Sequence, residues 1–195
     1  MKRVAVMLAD GFEEIEALTV VDVLRRARVE CDMVSIGDII VRSTHNIEVK
    51  ADKIINDDLE DYDMIVCPGG LPGAKNLSEN KKLIDTIRKF DKMNNKYISA
   101  ICAAPAMVLT SAGIEKDKFI TSYPGEEFEG MLENANYTDE LVVVNGNLIT
   151  SRGPATALLF AYKILDVLGI NSEALKEGML WNLVEEENCN DENII

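Results

Sequence analysis

Cys102 directly follows an apolar run, Tyr97-Ile98-Ser99-Ala100-Ile101, and directly precedes a helical pattern from Ala103 to Ala112. A tight strand-to-helix turn of this kind exposes a nucleophile, and the small neighbours Ala100, Ala103 and Ala104 let the backbone bend there. At a helix start the thiol meets unpaired N–H groups and the positive end of the macrodipole, both of which favour thiolate. The same amides would hold an oxyanion. Cys102 is therefore expected to titrate well below the free value of about 8.5. The same residues also fit a buried structural cysteine. Cys67 ends another apolar run but meets Pro68-Gly69-Gly70 instead of a helix, so it reads as a core thiol. Gly69 and Gly70 are stronger candidates, because glycine lets backbone amides approach a ligand closely, although a plain turn would use them too. Cys31 and Cys189 show no such setting. Glu13, Glu14 and Glu16 open a helical pattern, where acids are favourable in any protein, and spacing alone does not say which turns inward. Arg152 precedes a helix at Gly153-Pro154 and could bind an anion or pair with one of the 34 acids. The one histidine, His45, lies between Thr44 and Asn46 and reads as exposed. Scattered cysteines and a single histidine give no metal-binding cluster, and neither metal nor cofactor is expected.

These residues need elements to position them. Val4 to Ala9 reads as a first strand, followed by a helix through Ala17, Val20, Val21, Leu24 and Ala27. Further strands fall at Met33 to Ile36, Met64 to Cys67, Tyr97 to Ile101 and, shortly, Phe119 to Thr121. Ser78 looks like the cap of a helix through Leu83, Ile84, Ile87 and Phe90. Leu141 to Val144 and Leu148 to Thr150, joined by Asn145-Gly146-Asn147, predict a hairpin. Pro154 opens a long helix, and a last helix runs from about Ser172 into Glu185-Glu186-Glu187. Apolar strands alternating with helices predict a mainly parallel sheet covered on both faces, with ligands bound beyond the carboxyl ends of its strands. Asp10 to Glu16, Pro68 to Gly73 and Ile101 to Pro105 should meet there. One domain is read over 1–187, with an acidic tail over 188–195.

At 195 residues with 47% hydrophobic content, the chain can bury a core without staples. A net charge of −14 disfavours nucleic acid and anionic membranes as partners. The short basic-then-apolar start reads as a strand and not a signal peptide, so a cytoplasmic location is expected. No G-x-G-x-x-G or P-loop follows the first strand, which argues against nucleotide binding.

Five ordered motifs carry a resemblance: Ala9-Asp10-Gly11-Phe12-Glu13-Glu14-Ile15-Glu16, Pro68-Gly69-Gly70, Gly73-Ala74-Lys75-Asn76-Leu77, Ala100-Ile101-Cys102-Ala103-Ala104-Pro105 and Thr150-Ser151-Arg152-Gly153-Pro154. Together they resemble the ThiJ/PfpI superfamily, and within it the parkinsonism-associated deglycase branch, from Val4 to about Leu168. The resemblance implies a flavodoxin-like three-layer α/β sandwich, usually a homodimer, with Cys102 as an oxidisable nucleophile. It implies Glu16 beside the sulfur, protonated and donating to it, and Gly69 and Gly70 lending amides to the site. The activities it implies are glutathione-independent glyoxalase, deglycation of methylglyoxal adducts, oxidative-stress sensing and chaperone action. Two departures stand out. Ala103 replaces the histidine of the protease-like branch, so peptidase activity is not expected. Tyr123-Pro124 stands where many members carry histidine and proline, leaving Glu16 as the general acid/base. The expected substrate is a small aldehyde such as methylglyoxal or its early adducts, with Gly69, Gly70, Ala103, Tyr123 and Arg152 around it. The alternative is a sensor or chaperone that uses oxidation of Cys102 without turnover.

Overall fold

The computed structural model describes residues 2–191; of the tail read over 188–195, residues 192–195 lie outside the described residues, as does the side chain of Cys189. Seven strands form one sheet in the order β10-β11-β7-β6-β1-β2-β5. They are β1 (Arg3–Leu8), β2 (Glu30–Ser35), β5 (Lys53–Ile54), β6 (Met64–Cys67), β7 (Tyr97–Ile101), β10 (Val142–Asn145) and β11 (Leu148–Ser151). Every pairing is parallel except β10 with β11. Every residue of β6 is buried, and so are all but the first residues of β1 and β7. Such near-continuous apolar strands belong to a parallel sheet covered on both sides.

Helix α1 (Glu14–Arg26) links β1 to β2, while α2 (Gly73–Glu79) and α3 (Lys81–Asp91) link β6 to β7. The first crossover steps one way along the sheet and the second steps the other way. Right-handed crossovers in opposite directions put their helices on opposite faces. Contacts agree: α1 packs on α6 (Ala157–Val167), and α3 packs on α4 (Thr110–Ala112). The strand order therefore reverses between β1 and β6, and the crevice of an open α/β sheet lies at that switch point.

Several boundaries differ from the sequence reading. Asn80, not Ser78, caps α3, its side chain accepting the Leu83 N–H at 3.0 Å. Ser78 instead ends α2 and donates back to the Lys75 carbonyl. The hairpin turns on Gly146-Asn147, with Gly146 at φ 64° and Asn145 still paired to Leu148. Pro154 starts a single 3₁₀ turn before α6. The last helix is two, α7 (Glu173–Gly178) and α8 (Trp181–Asp191), separated where Leu180 takes φ 62°. A small ribbon of β3 (Ile40–Arg42) and β4 (Glu48–Lys50) is also present, absent from the sequence reading although Ile47 to Asp52 alternates apolar and charged residues. β8 (Phe119–Ile120) pairs with β9 (Asn136–Tyr137), and α5 (Glu126–Met131) lies between them. No helix among the described residues is long and apolar enough to cross a membrane.

Candidate active site

The three segments expected at the crevice do meet there, because β7, β6 and β1 are adjacent and parallel. Cys102 leaves β7 with φ 65°, a left-handed conformation that a β-carbon disfavours. Backbone hydrogen bonds hold it from both sides: its N–H donates to the Ser151 carbonyl at 3.0 Å, and its carbonyl accepts the Tyr123 N–H at 2.8 Å. Strain fixed by its surroundings in this way points to function. The helix beyond begins with a π-helical turn, Pro105–Leu109, another feature frequent at functional sites.

Glu16 lies on the buried face of α1 and is fully buried. Its Oε2 accepts the Gly69 N–H at 2.8 Å, and Oε1 has no hydrogen-bond partner among the described residues. Gly69 sits between the two reactive groups. A β-carbon there would stand 2.6 Å from Cys102 Cβ, 2.8 Å from Glu16 Oε2 and 3.0 Å from Cys102 Sγ. A β-carbon on Gly70, which takes φ 85°, would stand 2.5 Å from both Glu13 N and Gly11 O. Only glycine allows either approach.

Burial pushes the Glu16 carboxyl up to about 7; the Gly69 amide and the Cys102 side chain oppose this, and the charge of Glu13 adds to it. Burial also pushes the Cys102 thiol up to about 12, with the charge of ionised Glu16 adding to the rise and the amides of Gly70 and Ala103 opposing it. The low thiol value expected from the sequence is thus corrected: desolvation and a neighbouring carboxylate outweigh the helix terminus. Cys31 and Cys67 are also buried and also pushed up to about 12.

A cleft of about 280 Å³ is lined by Tyr123, Pro124, Leu141, Arg152, Gly153 and Pro154 among others, and Cys102 is not part of its lining. Tyr123 is half exposed, lies over Gly153 and meets Phe128 edge-on at 6.0 Å. Arg152 donates to Asp139 at 2.9 Å, so of its two readings the structure displays the acid pair, while its side chain still borders the cleft. Ala103 is buried beside Cys102. His45 is exposed and bonds Glu14 at 2.8 Å. A larger cavity, about 540 Å³ between Leu59 and α3, is lined by other residues.

The sequence reading missed Glu13, which is only 6% exposed and caps α1 by accepting the Glu16 N–H at 2.8 Å. The available signal was the Glu13/Glu16 spacing, cap to third helical residue, as in a capping box. Glutamate is not a usual cap residue, so the signal was weak.

The profile of the DJ-1/PfpI family matches residues 2–167. The chain belongs to the DJ-1/PfpI family. Protein DJ-1 homolog B of Arabidopsis thaliana is 37% identical over 166 residues, 84% of this chain and 37% of that protein. The chain thus spans less than half the length of this plant relative, and the same holds for homolog A at 45%. Glutathione-independent glyoxalase DJ-1 of Schizosaccharomyces pombe is 36% identical over 177 residues, 85% of this chain and 91% of the relative. Among solved structures, oxidised Toxoplasma gondii DJ-1 superposes with a TM-score of 0.85 at 34% identity, covering 92% of this chain and 98% of the other. The flavodoxin-like fold of the family is therefore the fold of this chain.

Proposed function

We propose that this family member is a cysteine-dependent, glutathione-independent glyoxalase or deglycase acting on methylglyoxal or its early adducts. The observation that carries this reading is the buried Glu16 carboxyl, pushed up to about 7, sharing Gly69 with the strained Cys102. A carboxyl with that value holds or releases a proton at neutral pH, as general acid/base work requires. The amides of Gly70 and Ala103 support the thiolate of Cys102, which adds to the aldehyde carbon of methylglyoxal and leaves the charge on the aldehyde oxygen. Glu16 then moves the proton from that carbon to the neighbouring carbonyl carbon, giving a lactoyl thioester. Water cleaves the thioester to lactate and restores the thiol, so methylglyoxal and water balance lactate. Tyr123, whose N–H bonds the Cys102 carbonyl, and Arg152 line the neighbouring cleft, where a substrate would be held. The glyoxalase name of the fission-yeast relative supports the reading.

The test is to incubate the purified chain with methylglyoxal and follow aldehyde loss and lactate formation, for wild type and Cys102→Ser. Lactate from the wild type alone is expected; equal lactate from Cys102→Ser sinks the mechanism. The amides that face the sulfur also favour a second reading, in which they hold an oxidised Cys102 and the protein acts as a sensor. A homodimer belongs to the proposal as well. Exposed Ile15, Ile47 and Leu71 lie on neighbouring segments tied together by Thr44, whose hydroxyl donates to the Gly11 and Leu71 carbonyls.

A further inference from the structure

Three hydrogen bonds close a ring beneath the thiol. The Glu13 N–H donates to the Gly69 carbonyl at 3.0 Å. The Gly69 N–H donates to Glu16 Oε2 at 2.8 Å, and the Glu16 N–H donates to Glu13 Oε2 at 2.8 Å. The ring joins the start of α1 to the loop after β6, and Gly69 touches Cys102 from inside it. Glu13 therefore grips the glycine loop with its backbone and Glu16 with its carboxyl.

A helix cap alone does not account for a glutamate here, since short side chains cap better and first-turn acids ordinarily face water. Glu13 is nearly as buried as Glu16. Positions three apart on a helix are neighbours, and two neighbouring carboxyls do not both ionise readily. The surroundings are unequal. Glu13 has polar neighbours on its outer side: one of its carboxylate oxygens, one of Glu14 and a ring nitrogen of His45 all lie within 4.8 Å of one another. Glu16 is deeper and meets Glu13, Cys102 and the Gly69 amide. A proton therefore rests easily on Glu16.

We propose that Glu13 is a positioning residue for the Glu16–Cys102 pair: its carboxylate seats Glu16 against Gly69 and keeps Glu16 protonated, so that no ionised carboxylate opposes loss of the thiol proton. This rests on the reading that Glu16 and Cys102 act as a pair. The charge of Glu13 pushing Glu16 upward agrees with it.

The test measures the rate of Cys102 alkylation by iodoacetamide against pH, by mass spectrometry, for wild type, Glu13→Gln and Glu13→Asp. Glutamine keeps an oxygen to cap the Glu16 N–H but carries no charge; aspartate keeps the charge. Glu13→Gln is expected to slow alkylation at pH 7 by about three- to tenfold, up to one unit of thiol pKa, and to shift the profile to higher pH. Glu13→Asp should restore most of the rate. A Glu13→Gln profile that overlays the wild type reduces Glu13 to a cap and overturns the proposal. If Glu13→Gln does not fold, a ¹³C titration of the wild-type glutamate carboxyls decides. Glu16 must take up its proton near neutrality, and a Glu16 that protonates only in the ordinary carboxylate range overturns the proposal. Alkylation needs no substrate, so a wild type that spares methylglyoxal defeats the glyoxalase reading while leaving this test intact.

Discussion

Replacing Glu16 by Gln takes one titrating carboxyl out of the core while keeping its shape and its hydrogen bond from Gly69. In the folded chain that carboxyl is pushed from 4.5 up to about 7 by burial. The shift of about 2.5 units is worth about 3 kcal/mol. The sign follows from proton counting. Between pH 4.5 and pH 7 the folded state still holds a proton that the unfolded chain has released, so rising pH favours unfolding. The stabilising share of Glu16 is complete below 4.5 and lost as pH passes 7. Glutamine has no such window. Urea unfolding of the Cys102→Ser protein and of Cys102→Ser/Glu16→Gln, from pH 4 to pH 8, isolates this group because the sulfur no longer titrates. Acids that do not interact with Glu16 cancel in the difference. The difference in unfolding free energy should move by about 3 kcal/mol across the range, in favour of glutamine at high pH, or about 1 M in urea midpoint. A difference that stays flat within about 1 kcal/mol shows that Glu16 is ionised in the folded site, and the general-acid assignment falls with it.

Gly69→Ala places a β-carbon against Cys102 Cβ, Glu16 Oε2 and Cys102 Sγ at once; it should cost about 1–3 kcal/mol of stability by overpacking and abolish methylglyoxal turnover, and unchanged melting and turnover would show the contact to be harmless. Mild peroxide should add two oxygens to Cys102 and leave Cys31 and Cys67 reduced, since burial pushes both of those thiols up to about 12. An intact mass that instead loses two hydrogens marks a disulfide and contradicts it.

Much of the fold was legible because the strands that build the crevice are short apolar runs stopped by glycine, proline or a helix start. Met64–Cys67 and Tyr97–Ile101 could be read to the residue. What failed were choices between equally good local signals. Ser78 and Asn80 are both acceptable caps, and tertiary contacts of α2 decided for Asn80. Nothing in the local pattern marks Leu180 as the residue that breaks the last helix with a positive φ. At the site, Cys102, Gly69 and Gly70 could be read because a strand-to-helix turn and a glycine pair leave marks on sequence. Glu13, Glu14 and Glu16 could not be told apart, since inward direction depends on where α1 sits against β1 and β6, and a three-residue spacing carries no such information.

The failed expectation for the thiol has the same origin. A helix terminus contributes about 0.3–1 kcal/mol to a neighbouring charge, or up to about 2 kcal/mol when partly buried, which is at most about 1.5 units of pKa. Desolvation of a buried group moves it by up to 3–5 units. Where the two compete, burial wins, and Cys102 is mostly buried. The sequence exposed the smaller effect and hid the larger one. A lone cysteine at this turn would therefore be a poor nucleophile at neutral pH. On the proposed reading Glu16 reverses this, because a neutral carboxyl removes the repulsion that an ionised one imposes and can donate toward the sulfur. The two groups then titrate as a coupled pair, and the thiol proton is easier to lose while Glu16 stays neutral than once it is ionised. Reactivity of Cys102 belongs to the pair, and Glu13, through its bond to the Glu16 amide and its charge, keeps Glu16 neutral.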